Sequence, residues 1–192
     1  MADKVKITWL GHSCFKVESK GYVVIFDPYE NGYVPGVRLN RQIADLVLCS
    51  HEHGDHNARS MVDIREGKPS PFQVQTVFTY HDDKKGALRG ENLIHILDDG
   101  IFRIAHAGDL GCDLLPEQKE TLKGLDVLMI PVGGYYTIDA RQAKKIVDVI
   151  KPRIVIPMHY KGEKFGFDVL AFLEDYTNLC DDVMYYDGNT LE

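Results

Sequence analysis

The sequence predicts an α/β fold in which two β-sheets carry helices on their outer faces. Two observations support this prediction. Short β-rich runs dominate the early part of each half of the chain, and segments with helical spacing follow them. Low-complexity segments and linkers are absent from the sequence. Because 192 residues are too few for two ordinary domains, we predict a single domain over residues 1–192.

The first half of the chain contains mostly strand patterns. Apolar and polar residues alternate from Val5 to Leu10, which predicts a half-buried strand. The run from Asp45 to Cys49 is solidly apolar, so we expect a strand buried on both faces. A loop with Gly and Pro covers 29–40, and 57–62 is expected to be a short helix. Further strands are predicted at 14–17, 22–26 and 72–80.

The second half of the chain mixes strands and helices. Residues 92–106 predict a hairpin with Asp99-Gly100 as its two-residue turn, and His95 in it is expected to face solvent. A helix over 116–122 would have proline in its first turn. Apolar residues from Ala140 to Ile150 recur at helical spacing and stop before Pro152. The remaining predictions are strands at 127–130, 154–158 (buried) and 183–186, and a helix at 167–176.

Composition and charge narrow the classes of function. With 44% hydrophobic and 27% charged residues, the chain has the composition of a globular protein with a substantial core. Its net charge of -7 argues against a broad nucleic-acid face, because polyanion binding needs clustered Lys and Arg. The four cysteines form no CxxC pair, which suits a reducing compartment. A signal segment and a membrane-length apolar run are missing, so we expect a cytoplasmic protein without membrane partners.

The stretch "CSHEHGDH", residues 49–56, calls for a chemical explanation. It places three histidines and two acids within six residues, directly after an apolar run. Such side chains are poor core material unless they are paired or bound to something. An extended backbone points His51 and His53 the same way, and Gly54 permits a bend that brings Asp55 and His56 to a neighbouring position. These nitrogen and oxygen donors suit zinc, manganese or iron.

Further ligand-type residues follow later predicted strands. His81 follows one strand, Asp109 follows a second, and His159 follows a third. Each residue alone is adequately explained as a polar cap on a strand end. Together with the hexapeptide, they indicate a metal centre at one edge of a sandwich, and two metals would need about six or seven such ligands.

These motifs carry a family resemblance over nearly the whole chain. The stretches "GHSCF", "FDP", "SHEHGDH", "YHDD", "RGEN", "AHAGDLG", "PVGGYYT" and "IPMHY" resemble the metallo-β-lactamase superfamily. The branch they resemble comprises small bacterial metal-dependent hydrolases akin to ascorbate-6-phosphate lactonase. The resemblance implies a four-layer αββα sandwich with a dinuclear site on one edge.

The resemblance also implies a ligand set. One metal would be held by His51, His53 and His81, the other by Asp55, His56 and His159, with Asp109 as the bridging ligand. Two divalent transition-metal ions are expected as cofactors, with zinc as the first choice and manganese or iron as alternatives.

Three polar residues near the motifs have alternative roles. His12, in a glycine-bounded turn, either approaches the metals or hydrogen-bonds a loop. Asp27, which ends a strand before a proline, either orients a ligand histidine through its ring N–H or caps a turn. For His106, we expect a structural or supporting role rather than metal ligation.

The segment after His81 bears on the substrate. Lys84, Lys85 and Arg89 follow His81 within eight residues. The two lysines are best explained as parts of a solvated loop, whereas Arg89 and Asn92, in the family-like "RGEN", are predicted to be catalytic or to hold a substrate anion. The loop that contains residues 135–137 is a candidate pocket lining.

The sequence thus predicts a metal-dependent hydrolase. A water or hydroxide bridging two metals would attack a carbonyl or phosphoryl centre, with Asp55 orienting the nucleophile. The expected substrate is a small, anionic ester, lactone or phosphodiester, and nucleic acid is not expected as a partner. Two alternatives stay open: a redox di-iron protein and a non-catalytic binding module on the same fold.

Overall fold

The computed structural model describes residues 4–192, in which two five-stranded sheets face each other. Three helices and twelve strands are assigned in this part of the chain. The strands are β1 (Val5–Gly11), β2 (Cys14–Ser19), β3 (Tyr22–Phe26), β4 (Gln42–Ala44), β5 (Leu46–Leu48), β6 (Val62–Ile64), β7 (Gln73–Tyr80), β8 (Glu91–Asp98), β9 (Arg103–His106), β10 (Val127–Pro131), β11 (Ile154–Met158) and β12 (Thr190–Leu191). The helices are α1 (Pro116–Thr121), α2 (Ala140–Ile150) and α3 (Glu174–Thr177).

Each sheet combines parallel and antiparallel pairs. The first sheet has the order β12-β1-β2-β3-β5, in which only the β3–β5 pair is parallel. The second has the order β11-β10-β9-β8-β7, with β10 parallel to both of its neighbours. Strands β4 and β6 form a separate parallel pair. The mixed sheets and their flanking helices confirm the predicted α/β sandwich.

The two sheets enclose the main hydrophobic core. Alternation in β2 and β3 sends Phe15, Val24 and Phe26 towards the second sheet, where β8 and β9 contribute apolar side chains. Helix α2 buries four apolar residues against this core, and its N-cap residue is Asp139, whose side chain accepts a hydrogen bond from Gln142 N. The 140–150 helix prediction is confirmed because its apolar stripe, N-cap and following proline all agree.

A loop rather than a helix covers the outer face of the first sheet. Val23 and Ile25 point away from the main core and pack in a second cluster with Tyr29, Val34 and Leu39 of the 29–40 loop. The small β4–β6 pair contributes to the same cluster. Among residues 4–192, the helical layers therefore lie on the second sheet, and this loop takes the corresponding place on the first.

Several element predictions between residues 45 and 106 need correction. Strand β5 is only half-buried because it lies at an edge of its sheet. The expected helix at 57–62 is a single 3₁₀ turn, Arg59–Met61, after which the chain enters β6. The hairpin turn contains residues 99–102 instead of two residues, because the Asp99 carboxylate accepts hydrogen bonds from the amides of Ile101 and Phe102.

Similar corrections apply to the C-terminal region and to His95. Of the predicted 167–176 helix, only residues 174–176 are helical, as part of α3, because Ala171 bonds through its backbone to Gly133 and Lys161 instead. Residues 183–186 form no strand, and the last strand, β12, pairs with β1. The predicted buried strand β11 is partly exposed at its sheet edge. His95, predicted to face solvent, is buried and donates from Nε2 to the Cys49 carbonyl at 3.0 Å.

Two further properties concern the described residues as a whole. The four cysteine thiols are unpaired. The helices of residues 4–192 are all too short or too polar to cross a membrane.

Candidate metal centre

All seven predicted ligands lie together at one edge of the sandwich. His51, His53, Asp55 and His56 occupy the turn after β5, and the other three follow β7, β9 and β11. His159 adopts a left-handed backbone with φ 54°, an uncommon conformation for a residue other than glycine. The tight turns at these strand ends aim the side chains into one cluster.

The donor atoms form two groups with a carboxylate between them. In the first group, one nitrogen from each of His51, His53 and His81 lies within 4.8 Å of the others. The second group joins Asp55, His56 and His159 by the same criterion and also includes His12. Oδ2 of Asp109 lies 3.2 Å from Nε2 of His81 and 3.2 Å from Nε2 of His56, so it faces both groups.

The cluster contains buried polar atoms that only an additional partner could satisfy. Nε2 of His51, Nε2 of His56 and Oδ1 of Asp109 are buried without a hydrogen-bond partner in the described part of the chain. Leaving such an atom unsatisfied costs about 1–3 kcal/mol, so a cluster of them is unfavourable on its own. Because imidazole nitrogen and carboxylate oxygen are the donors that zinc, manganese and iron accept, the residues present fit a metal centre.

Asp27 and Ser50 orient two of the histidines. Asp27 Oδ2 accepts a hydrogen bond from His56 Nδ1 at 2.7 Å and another from Ser50 Oγ at 2.6 Å. Because the Ser50 hydroxyl proton is used in this way, Ser50 Oγ accepts from His51 Nδ1 at 2.9 Å. Both histidines are therefore protonated on Nδ1 and keep the Nε2 lone pair free. Of the two roles considered for Asp27, the structure favours the orienting one.

Electrostatics keep most of these groups in the protonation state that binds metal. Burial lowers the pKa of His51 to about 3 and that of His12 to about 4, so both imidazoles are neutral at neutral pH. Burial alone would raise the pKa of Asp27, but neighbouring His106 and His56 lower it to about 2. Metal ligands must be deprotonated, and the shifts of the two histidines favour that state. For His56, burial alone would lower the pKa, but the neighbouring Asp109 and Asp27 carboxylates raise it.

Asn92 supports the centre from behind. Its Oδ1 accepts a hydrogen bond from Asp109 N at 2.8 Å, and its Nδ2 donates to Ala107 O at 3.0 Å and to Thr79 Oγ1 at 2.8 Å. The side chain is fully buried and does not line the pocket. Asn92 was predicted to be catalytic or to hold a substrate anion, and this prediction needs correction. Asn92 positions the Asp109 loop, because its polar atoms are already bonded there.

His106 has a comparable structural role. Its Nε2 donates to the Ser13 carbonyl at 2.8 Å, and its Nδ1 accepts from Gly108 N at 3.2 Å. The ring stacks on Phe26 with centroids 4.9 Å apart. These contacts confirm that His106 is structural and not a candidate ligand.

A cavity of about 270 Å³ opens onto the cluster. Five candidate ligands form its floor, and its walls are Tyr33, Arg89, Tyr136 and Phe167. The Arg89 guanidinium lies 5.5 Å from the centre of the Tyr136 ring and has no acidic partner among residues 4–192.

Thr137 and the exposed Tyr135 do not line the cavity, contrary to expectation. A larger cavity of about 580 Å³ near the C-terminus contains none of the candidate ligands.

One buried carboxylate shapes the loop that presents Arg89. Asp82 accepts hydrogen bonds from four backbone amides, those of Lys84, Gly86, Leu88 and Arg89, at 2.7–3.0 Å. Burial alone would raise the pKa of Asp82, but these four donors hold it below its usual range. Lys84 and Lys85 point outward and are exposed, as expected of a solvated loop.

Sequence reasoning did not find Ser50, Asp82, Tyr33 or Phe167. Ser50 and Asp82 had an available signal, because each is adjacent to a predicted ligand histidine. The two aromatic residues had none, because they lie outside the ligand motifs and reach the cavity through tertiary packing.

Comparison with known proteins agrees with this geometry. A family model described as the β-lactamase superfamily domain matches residues 6–159. A UPF0173 protein of Pyrococcus furiosus is 30% identical over 187 residues, covering 81% of this chain and 83% of that protein. A UPF0173 metal-dependent hydrolase of Carboxydothermus hydrogenoformans is 29% identical over 191 residues, covering 81% and 84%.

A solved structure extends the similarity to three dimensions. A Thermotoga maritima protein, proposed to be a zinc-dependent hydrolase of the metallo-β-lactamase superfamily, superposes with a TM-score of 0.75 at 32% identity. The match covers 98% of this chain and 92% of that one. The chain thus belongs to the UPF0173 family and is a metal-dependent hydrolase of the metallo-β-lactamase superfamily.

Proposed function

We propose that this protein hydrolyses a small anionic ester, lactone or phosphodiester at a centre for two metal ions. The observation that carries the proposal is the arrangement of one cavity. Its floor contains donors from both groups, with Asp109 between them, and its wall contains a guanidinium without an acidic partner among the described residues.

The donor groups define the metal positions. His51, His53 and His81 would hold the first ion, and Asp55, His56 and His159 would hold the second. Asp109 would serve both positions, since its Oδ2 faces histidines of both groups. Zinc suits this mixture of imidazole and carboxylate donors, and manganese or iron would fit the same donors.

The chain's own residues prepare the site for hydrolysis. Bound metal ions supply a lowered pKa for water and positive charge for the developing oxyanion. Asp55 lines the cavity with a partly accessible carboxylate, so it can orient a water molecule and accept its proton. The neighbouring histidines hold the pKa of Asp55 below its usual range, which keeps the carboxylate ionised, although burial alone would raise that pKa.

Arg89 gives the cavity its preference for anions. The net charge of -7 repels anions at long range, so attraction must come from groups within the cavity. The guanidinium has five donors and no acidic neighbour among residues 4–192, which leaves it free for a phosphate or carboxylate. The Tyr136 ring holds it at the cavity wall.

The test combines metal analysis with a substrate panel. Reconstituted protein should contain about two transition-metal ions per chain. It should hydrolyse members of a panel of lactones, phosphodiesters and anionic esters, and Asp55→Ala should abolish turnover without unfolding the protein. A metal content near zero would contradict the proposal, as would near wild-type activity in Asp55→Ala.

The same panel separates the two alternatives. Oxygen consumption by the iron-loaded protein, without hydrolysis, would favour a redox di-iron function. Binding of panel compounds without turnover in any metal-loaded form would favour a non-catalytic module.

A further inference from the structure

We infer that His12 is an eighth protein ligand of this centre and completes the second metal position beside Asp55, His56 and His159. The inference rests on the metal centre of the proposed function and adds a residue that the sequence motifs leave open. Four observations carry it: the geometry of the turn, the distances between donor atoms, the burial of the ring and the contrast with other buried histidines.

The turn between β1 and β2 holds His12 in a fixed, uncommon backbone conformation. Gly11 has φ 109° and His12 has φ 52°, and positive φ at a residue other than glycine is unfavourable unless the surroundings enforce it. Hydrogen bonds anchor the turn, from Trp9 Nε1 to His12 O at 2.9 Å and from the Tyr29 hydroxyl to Leu10 O at 2.8 Å. The strained turn aims the imidazole into the cluster.

The distances match those between ligands of a shared metal. His12 Nε2 lies 3.4 Å from Asp55 Oδ2, and donor atoms of all four residues in the group lie within 4.8 Å of one another. Two ligands about 2.0–2.2 Å from one zinc ion, with roughly 90–110° between them, are about 2.8–3.6 Å apart. An ordinary N–H···O hydrogen bond has about 2.7–3.2 Å between the heavy atoms, so 3.4 Å suits shared coordination better.

The His12 ring is buried and lacks the partners that other buried histidines have. Its side chain is 0% exposed, and neither ring nitrogen has a hydrogen-bond partner among residues 4–192. His95 and His106 are also buried, but each donates to a backbone carbonyl, at 3.0 and 2.8 Å. An unsatisfied imidazole is costly, and a bound metal would satisfy it.

The two metal positions would then differ. Five side chains, those of His12 and of four other residues including the shared Asp109, would surround the second position. The first position has three histidines besides Asp109, and one of them, His53, is partly exposed at the cavity. We therefore expect the second position to bind metal more tightly and the first to remain open to substrate.

Calorimetric titration of metal-free protein with zinc tests the inference. The wild-type protein should show two classes of binding, and His12→Asn should weaken the tight class at least tenfold. Asparagine tolerates a left-handed backbone, so the turn should survive, and its short amide cannot replace the imidazole nitrogen. His95→Gln is the control, because His95 lies outside the cluster, and it should leave both classes unchanged. Thermal unfolding without metal checks that each variant is folded.

Anomalous scattering from zinc-loaded crystals gives a direct second readout. The expected result is an ion about 2.0–2.2 Å from His12 Nε2. Two bound ions with His12 outside bonding distance, or an unchanged tight class in His12→Asn, would overturn the inference and leave the proposed function intact. Failure of the wild-type protein to bind zinc, manganese or iron would overturn both.

Discussion

Asp27 shows how one buried carboxylate organises much of the metal centre. It lies after β3 with φ 42°, a conformation that aspartate tolerates better than most residues. Its two oxygens accept hydrogen bonds from the backbone and hydroxyl of Ser50 and from His56. One residue thus fixes the tautomer of His56 directly and that of His51 through Ser50.

Replacing this carboxylate should weaken metal binding. In Asp27→Asn, an NH₂ group replaces one carboxylate oxygen, which accepts hydrogen bonds in the wild-type protein. A donor of His56 or Ser50 then faces another donor and loses its partner. We expect zinc affinity to fall about 10–100-fold, the usual effect of losing a residue that orients a ligand. Competition with a chromophoric chelator measures it. Asp63→Asn, which removes only an exposed ion pair with Arg41, is the control, and equal affinities in the two variants would contradict the orienting role.

Arg89 should determine the preference for charged substrates. Losing a charge-assisted contact costs about 1.5–3 kcal/mol, which corresponds to a roughly 10- to 150-fold loss of affinity. Arg89→Ala should therefore raise KM or lower kcat/KM for anionic substrates and spare neutral esters. Steady-state kinetics on matched anionic and neutral esters measure this, with Lys84→Ala as an exposed control from the same loop. Equal losses on both substrate classes would show that Arg89 does not select for charge.

At the scale of elements, the loop between β7 and β8 connects a candidate metal ligand to the cationic wall of the cavity. It begins at the candidate ligand His81 and carries Arg89 at its other end. The Asp82 carboxylate ties these parts together through four backbone amides. The position of Arg89 therefore depends on a residue that does not line the cavity.

Asp82→Asn should loosen this loop without emptying the metal centre. An asparagine side chain has one acceptor oxygen, so two of the four amides must face an NH₂ group. We expect KM for anionic substrates to rise several-fold, with little change in kcat or metal content. Asp83→Asn, at an exposed neighbouring position, should have no such effect. A loss of metal as large as the change in KM would instead mean that Asp82 mainly supports His81.

Gly111 allows two elements to approach closely behind the centre. A Cβ at this position would lie 2.2 Å from the His81 carbonyl carbon and 2.4 Å from Asp82 N, both backbone atoms that cannot move aside. Gly111→Ala should therefore lower stability by about 1–3 kcal/mol and reduce metal binding. In the comparison variant Gly162→Ala, the three atoms nearest the added Cβ all belong to the side chain of Phe165 and not to backbone, so we expect a smaller loss. Thermal unfolding of both variants measures the difference, and equal stabilities would contradict the steric argument.

At the scale of the whole molecule, the metal centre joins distant parts of the chain. Its candidate ligands extend from His12 to His159 and follow strands of both sheets. A metal bound there would cross-link the two sheets at one edge. Because it binds only the folded arrangement, it should add to the free energy of unfolding.

Removing the metal should therefore lower the melting temperature. Metal at 100 times its Kd stabilises the folded state by about 2.7 kcal/mol. For a protein of this size, that corresponds to roughly 5–10 °C in Tm. Calorimetry of chelator-treated protein, before and after zinc is restored, measures the shift, and chelator already saturated with zinc is the control. An unchanged Tm would show that the folded state does not depend on metal.

Elements with local signals were predicted well from the sequence. Helix α2 carries its own stripe, N-cap and stop signal, and β7 and β10 were predicted to within one residue. Failures occurred where a distant partner decides the outcome. Residues 167–173 are not helical because Ala171 bonds to Gly133, and His95 is buried because the Cys49 carbonyl accepts its hydrogen bond. The sequence around each of these residues contains no signal that predicts such a long-range hydrogen bond.

The sequence by itself determined the donor types, their spacing in 51–56 and their places after strands. It could do so because, over a few residues, the backbone conformation alone sets the direction in which neighbouring side chains point. Only the tertiary structure decided which residues surround these donors. It brought His12 to the cluster, bonded Ser50 to Asp27, formed a wall from Arg89 and Tyr136, and placed Asn92 behind Asp109 instead of in the cavity. The physical reason is that packing two sheets face to face sets distances between residues up to 147 positions apart, such as His12 and His159, which no local pattern encodes.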